Sequence, residues 1–295
     1  MAIELRHGTK VWHRRERGAQ LATWAAWLAG AAIFIYCWEL ISDKTIWAFV
    51  ADAPAQAADL GVRMVPPDWG FIHVLWRPMW DTINMATLGT LMGIMLALPV
   101  AYCAARNTTP SVALIRPAAL FVIVSSRSIN SLIWALMLVT IIGPGVFAGI
   151  LAIGLRSIGF CAKLLYEAVE EIDEGQVEAV RATGAPFFSV LAYGVLPQVF
   201  SRFIGFATYQ LDSNLRNSTM VGIVGAGGIG GTLFAAFQRF DYDFVCAILI
   251  AIISLIMLGE LFATAVRRIF IGGATLADLF RRERATRRDR LVEDD

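Results

Sequence analysis

Apolar runs of membrane-spanning length alternate with short polar segments along most of the chain. About 20 apolar residues cross a bilayer as a helix. Six segments meet that length: residues 21–41, 83–104, 117–142, 143–165, 198–222 and 244–266. The fifth is the weakest, because Arg202, Asp212 and Arg216 interrupt it. Only Gly143-Pro144-Gly145 separates the third from the fourth, a turn signal that predicts a helical hairpin. The pattern predicts an all-α polytopic membrane protein with about six transmembrane helices. Composition agrees: 57% of residues are hydrophobic and 17% charged, against about 25% charged in soluble domains.

Basic residues near span ends set orientation. They concentrate in the N-terminal segment 1–20, in the loop holding Arg106 and Arg116, and in the tail 271–295. With six spans these share one face, so both termini are expected in the cytoplasm of a cell membrane. The first helix (21–41) then leads into an extracytoplasmic loop (42–82), and residues 83–270 form the main transmembrane domain. The loop 223–243 also lies outside. The apolar core of the first span exceeds the 7–15 residues of a signal-peptide core, so it is expected to remain as a helix. Trp24, Trp38, Trp47 and Trp80 near span ends read as interface anchors. Cys37, Cys103, Cys161 and Cys246 all fall in apolar runs, which suits small buried hydrophobes rather than a metal set. Net charge is +1, so the total suggests no nucleic-acid partner.

The stretch Val221–Gly231, VGIVGAGGIGG, contains a G-x-G-x-x-G at Gly225, Gly227 and Gly230. A dinucleotide site needs a strand before it and a βαβ unit around it. LDSNLRNSTM precedes it and a membrane span follows it, so that reading fails. Close backbone approach is the alternative, with Gly225, Gly227 and Gly228 ending the fifth helix and lining the outer part of a pathway.

The most informative polar segment is Glu170–Gln198. Asp173 and Gln176 have capping-box spacing. Gly184 suits the position just past a helix end, and Pro186 can start a second short helix ending near Pro197. Residues 173–197 therefore predict two short helices joined by a sharp turn, tipped with small residues and shaped to seat in a partner's groove.

Glu178, Ala179, Gly184, Leu196 and Pro197 match the E-A-A-x-x-x-G-x₉-I-x-L-P signature of ABC importer permeases. Val180 and Gly194 depart from it, leaving the acid and the turn glycine in place. YEAVEEID at 166–173, YGVLPQ at 193–198, LRNST at 215–219 and VGAGGIG at 224–230 resemble the phosphonate-transport branch, whose fold is similar to that of methionine permeases. The resemblance spans roughly residues 80–270. It implies a permease that pairs with a second copy, docks two cytoplasmic ABC ATPases through its coupling helices, and receives cargo from an extracytoplasmic substrate-binding protein. ATP and magnesium would be bound by the ATPase, with no cofactor on this chain.

Ionisable residues inside a membrane are functional candidates. Arg127, Arg156 and Arg216, with Asn214 and Ser218, are candidate pathway residues, since guanidinium groups bind oxyanions in a bidentate manner. The other reading is structural, with Arg127 or Arg156 paired to Asp212 or Glu260 across helices. Phosphonate, phosphite and phosphate all fit as cargo. An ion-coupled secondary transporter of a small anion is the alternative. It would require a buried carboxylate relay, for which only Asp212 and Glu260 qualify. A membrane-embedded enzyme is disfavoured, because no histidine falls in a span.

Overall fold

A computed structural model describes residues 2–6, 9–13, 17–70 and 72–270. The basic tail and Arg14 and Arg15 lie outside the described residues. Among the described residues the fold is all-α apart from a two-stranded antiparallel ribbon, β1 (Ala2–Arg6) with β2 (Thr9–His13). Residues 1–62 form one unit and the rest another. In the first, α1 (Arg17–Lys44) is the predicted first span. The predicted outer loop holds a second helix, α2 (Trp47–Arg63), and the start of α3.

The second unit carries α3 (Ile72–Ala104), α4 (Ile115–Ser128), α5 (Ser131–Ile142) and α6 (Val146–Glu170). The predicted third span is not one straight helix: α4 and α5 meet at a 90° bend. Ile129 is extended there, and the Asn130 side chain caps α5 by accepting from the Leu132 N–H at 3.1 Å. A local cap outcompetes helix continuation at this point. Among the described residues five helices are long and apolar enough to span a membrane, or six if the bent pair counts as one. The predicted turn between α5 and α6 is present, and Gly145 donates its N–H to the Gly225 carbonyl at 3.1 Å.

Beyond α7 (Glu174–Ala182), α8 (Phe187–Val190) does not stop near Pro197. It runs through a π-turn at Leu191–Val195 into α9 (Leu196–Val221). The wider turn accommodates Pro197, whose ring and missing N–H would otherwise break the ladder. A kink at Gly222–Ala226, where Val224 and Gly225 leave helical geometry, ends α9. The stretch expected as an outer loop holds a 12-residue helix, α10 (Gly228–Arg239), before α11 (Tyr242–Phe270).

Small residues let the helices approach closely. Ala97, Ala101, Ala104, Ala119 and Ala162 build the core where α3, α4 and α6 meet. Cys161 is buried there, whereas Cys37 is exposed.

Higher up, α3, α6 and α9 are pinned by a buried polar cluster. Asn214 donates to Thr90 at 2.8 Å and to Ser157 at 2.9 Å. Gln210 donates to Ser157 at 2.9 Å and to the Asn214 carbonyl oxygen at 3.1 Å. Ser157 in turn donates to the Ile153 carbonyl at 2.7 Å. Asn214→Leu would take from Thr90 its donor and from Gln210 its acceptor at Asn214, while Ser157 keeps Gln210, at about 1–2 kcal/mol. The thermal unfolding midpoint in detergent is expected to fall by several degrees, and an unchanged midpoint would contradict this role for the cluster.

Candidate functional site

Two regions carry the candidate residues, the α7–α8 segment and the face of α9 with its neighbours.

Asp173 starts α7 by accepting the Gly175 N–H at 2.9 Å. The expected capping box is only half formed. Gln176 reaches the Asp173 carboxylate at 3.5 Å, not its backbone. Gln198 on α9 takes the backbone role: it accepts the Asp173 N–H at 2.9 Å and donates to the Gly194 carbonyl at 2.7 Å. Gly184 follows the helix end with φ +75°, a left-handed conformation that costs other residues about 1–2 kcal/mol. Pro186 caps α8, as its position predicted. Gly194 lies where α7 crosses: a Cβ there would stand 3.3 Å from the Val177 Cα. This departure from the expected isoleucine therefore permits the close crossing.

Glu178, Ala179, Gly184, Leu196 and Pro197 are all exposed. Glu178 and Arg181 also line a cavity of about 170 Å³ with Asn107 and Thr108. Phe188 is 80% and Tyr193 76% exposed, so an aromatic surface adjoins the α7 tip. The α3–α4 loop is tied to the end of α6: Glu170 accepts from the Arg106 N–H at 2.9 Å and from Arg116 at 3.4 Å.

On α9, Asn214 and Ser218 are 1% and 0% exposed. Ser218 donates to the Leu215 carbonyl at 2.7 Å, and neither residue reaches a surface of this chain. Arg216 lies two residues from Asn214, about 200° around the helix, and is exposed. Its guanidinium donates to Asp212 at 2.6 Å. The other Asp212 oxygen is buried without a hydrogen bond. Asp212 therefore pairs with Arg216 on its own helix, not with Arg127 or Arg156.

Arg202, Tyr209 and Arg216 are all exposed at seven-residue spacing, which puts them on one face of α9. The pairs Gly145–Gly225, Ser157–Asn214, Phe160–Tyr209 and Glu171–Arg202 show α6 running antiparallel beside it. Phe160 and Tyr209 stack with centroids 5.6 Å apart. At about 1.5 Å rise per residue, Arg156 lies about 6 Å and Arg216 about 10 Å to one side of that stack, and Arg202 about 10 Å to the other.

Arg156 is half-buried and Arg127 exposed, and among the described residues neither has an ion pair. Arg127 lies on α4 against α6, where a Cβ at Gly159 would meet its Cγ at 2.8 Å. Ser126 beside it bridges α6 by accepting the Gly159 N–H at 2.9 Å and donating to the Leu155 carbonyl. Glu260 is exposed on α11.

At the other end of α9, Gly225, Gly227 and Gly228 have φ of +102°, +83° and +69°. That backbone forms the predicted turn, and Thr82 accepts the Ile229 N–H from it at 2.8 Å. The helix ends there as expected.

Residues 82–272 match the family described as binding-protein-dependent transport system inner membrane component. A phosphite transport system permease protein of Stutzerimonas stutzeri is 36% identical over 259 residues, covering 86% of this chain and 93% of that protein. A phosphate-import permease protein of Mycolicibacterium smegmatis is 41% identical over 191 residues, covering 64% of this chain and 36% of that protein. The fold is similar to the MetNI methionine ABC transporter in inward-facing form, with a TM-score of 0.61 at 24% identity, covering 69% of this chain and 99% of that one.

Gln198→Ala would release Asp173 and loosen α7. With a clamp worth about 1.4 kcal/mol, amide exchange across residues 174–182 is expected to rise about tenfold, and unchanged exchange would contradict the clamp.

Proposed function

The chain belongs to the family of binding-protein-dependent transport system inner membrane components, and on that premise we propose that its cargo is a phosphate-type oxyanion. The family sets aside the ion-coupled secondary transporter. The observation that carries the cargo reading is the α9 face with Arg216 and Arg202, flanked by Arg156 of α6. Exposed guanidinium groups are not stable against lipid tails, so such a face borders water or another chain. They bind oxyanions through paired N–H donors. Relatives named for phosphite and phosphate support the same cargo class.

In this reading two copies place their α9 faces around a shared pathway, with Arg127, Arg156 and Arg216 along it. Gly225, Gly227 and Gly228 form the outer turn, where a substrate-binding protein delivers cargo. Asn214 supports the pathway from behind by holding α9 to α3 and α6, and Ser218 is buried on the same side of α9. The α7 tip, with Glu178, Ala179 and Gly184, and the neighbouring Leu196 and Pro197, faces a cytoplasmic ATPase that binds ATP and magnesium. Phe188 and Tyr193, exposed next to that tip, suit a protein partner. Both termini are then cytoplasmic.

Uptake into proteoliposomes containing the cognate ATPase and binding protein tests this. Labelled phosphate or methylphosphonate should enter only with ATP, and each should compete with the other. Gly184→Val should abolish ATP-driven uptake while the chain still inserts. Arg216→Gln should lower uptake about tenfold, the effect of losing a contact of about 1.4 kcal/mol. Uptake that persists without the ATPase, or is untouched by Gly184→Val, would overturn the coupling role. A cargo that neither anion displaces would overturn the oxyanion reading.

A further inference from the structure

We infer that the groove on the Arg202 side of the Phe160–Tyr209 pair is a second binding site for a phosphate-type oxyanion, held between Arg202 and Arg267. This rests on the pathway reading above and extends it. The groove has a volume of about 770 Å³ and lies between α6, α9 and α11. Phe160, Phe206 and Tyr209 wall it, and Ser201, Arg202 and Arg267 supply its donors. No carboxylate lines it. Glu171, at the end of α6, holds Arg202 through one nitrogen, Nη1. That contact fixes the guanidinium and leaves its remaining N–H donors for a ligand. Among the described residues, Arg267 has neither an ion pair nor a hydrogen bond. The groove therefore carries an excess of positive charge against apolar walls, where the attraction for an anion exceeds that in bulk water.

A free anion fits better than a lipid headgroup, because the face that bears the groove continues past the aromatic pair to Arg156 and Arg216. A lipid-facing surface would not carry to that depth Arg156, which has no ion pair among the described residues, beside Arg216, whose carboxylate partner Asp212 stands on its own helix. The stacked rings then stand between two arginine-bearing stations, Arg156 with Arg216 on one side and Arg202 with Arg267 on the other. Cargo passing the rings is received by the second station before release, which requires each station to bind weakly.

The test is equilibrium binding of labelled inorganic phosphate to the whole transporter, with its ATPase subunits, in nanodiscs of phosphatidylcholine. Arg267→Gln and Arg202→Gln are each expected to weaken one phosphate per chain about tenfold. Arg267→Lys keeps the charge but loses the fork, and should weaken it by less. It also carries the test if the glutamine variants fail to assemble. Phosphate binding that matches wild type in all the assembled variants overturns the inference. So does phosphatidylglycerol that copurifies with wild type and is lost from Arg267→Gln, which would assign the site to a lipid headgroup. Uptake by proteoliposomes of the same preparation separates the two readings. If phosphate competes for uptake but binding ignores Arg202 and Arg267, the groove site falls and the cargo reading stands. If neither phosphate nor methylphosphonate competes for uptake, the cargo reading falls.

Discussion

The buried hydrogen bonds among Thr90, Ser157, Gln210 and Asn214 decide how α9 is turned within the bundle. Lipid tails cannot satisfy such groups, and apolar contact alone scarcely distinguishes one rotation of a membrane helix from another. Four polar side chains that must find each other do distinguish them. With Asn214 and Gln210 turned inward, Arg216, Tyr209 and Arg202 are turned outward by helix geometry alone. The structural cluster and the charged face are two consequences of one rotation.

The same helix carries the constraint to the α7 tip. Gln198 grips Asp173, Arg202 pairs with Glu171, and Arg116 with the Arg106 N–H holds Glu170. The α7–α8 turn is thus fastened to α6 and α9, not suspended on a loose loop. From Phe187 to Val221 the chain stays helical, interrupted in its regular winding only by the π-turn at Leu191–Val195. A push on the α7 tip therefore meets a stiff element that also bears the arginines. At the other end the glycine turn bonds back to the α5–α6 corner through Gly145 and Gly225.

Much of this was legible in the sequence, because hydropathy reports span length directly. Gly184 and Asp173 were legible as well, since left-handed turns and helix caps are local chemistry. The break at Ile129–Asn130 was hidden inside one apolar run, where Asn130 could be a pathway polar group as readily as a cap. The helix α10 was hidden by its glycines, which read as loop although their use here is close packing. Pro197 looked like a terminus because a π-turn, the device that absorbs it, leaves no sequence signal. Gln198 was missed as a site residue, since its partner lies 25 residues away and only the tertiary fold joins them. The arginines were found as charges, but Asp212 was assigned across helices when an i, i+4 partner, Arg216, stood on its own helix.

On the proposed function, the Arg202–Tyr209–Arg216 face of α9 is expected to border water in the assembled transporter. The most direct test is labelling of single cysteines, in a chain whose four native cysteines are changed to alanine, by a membrane-impermeant thiol reagent. Tyr209→Cys, Ser213→Cys and Arg216→Cys should label. Leu258→Cys, exposed on the apolar surface of α11, should not. If the three α9 positions stay as unreactive as Leu258→Cys, the face lies against lipid or a dry interface, and the account of an arginine-lined pathway is contradicted.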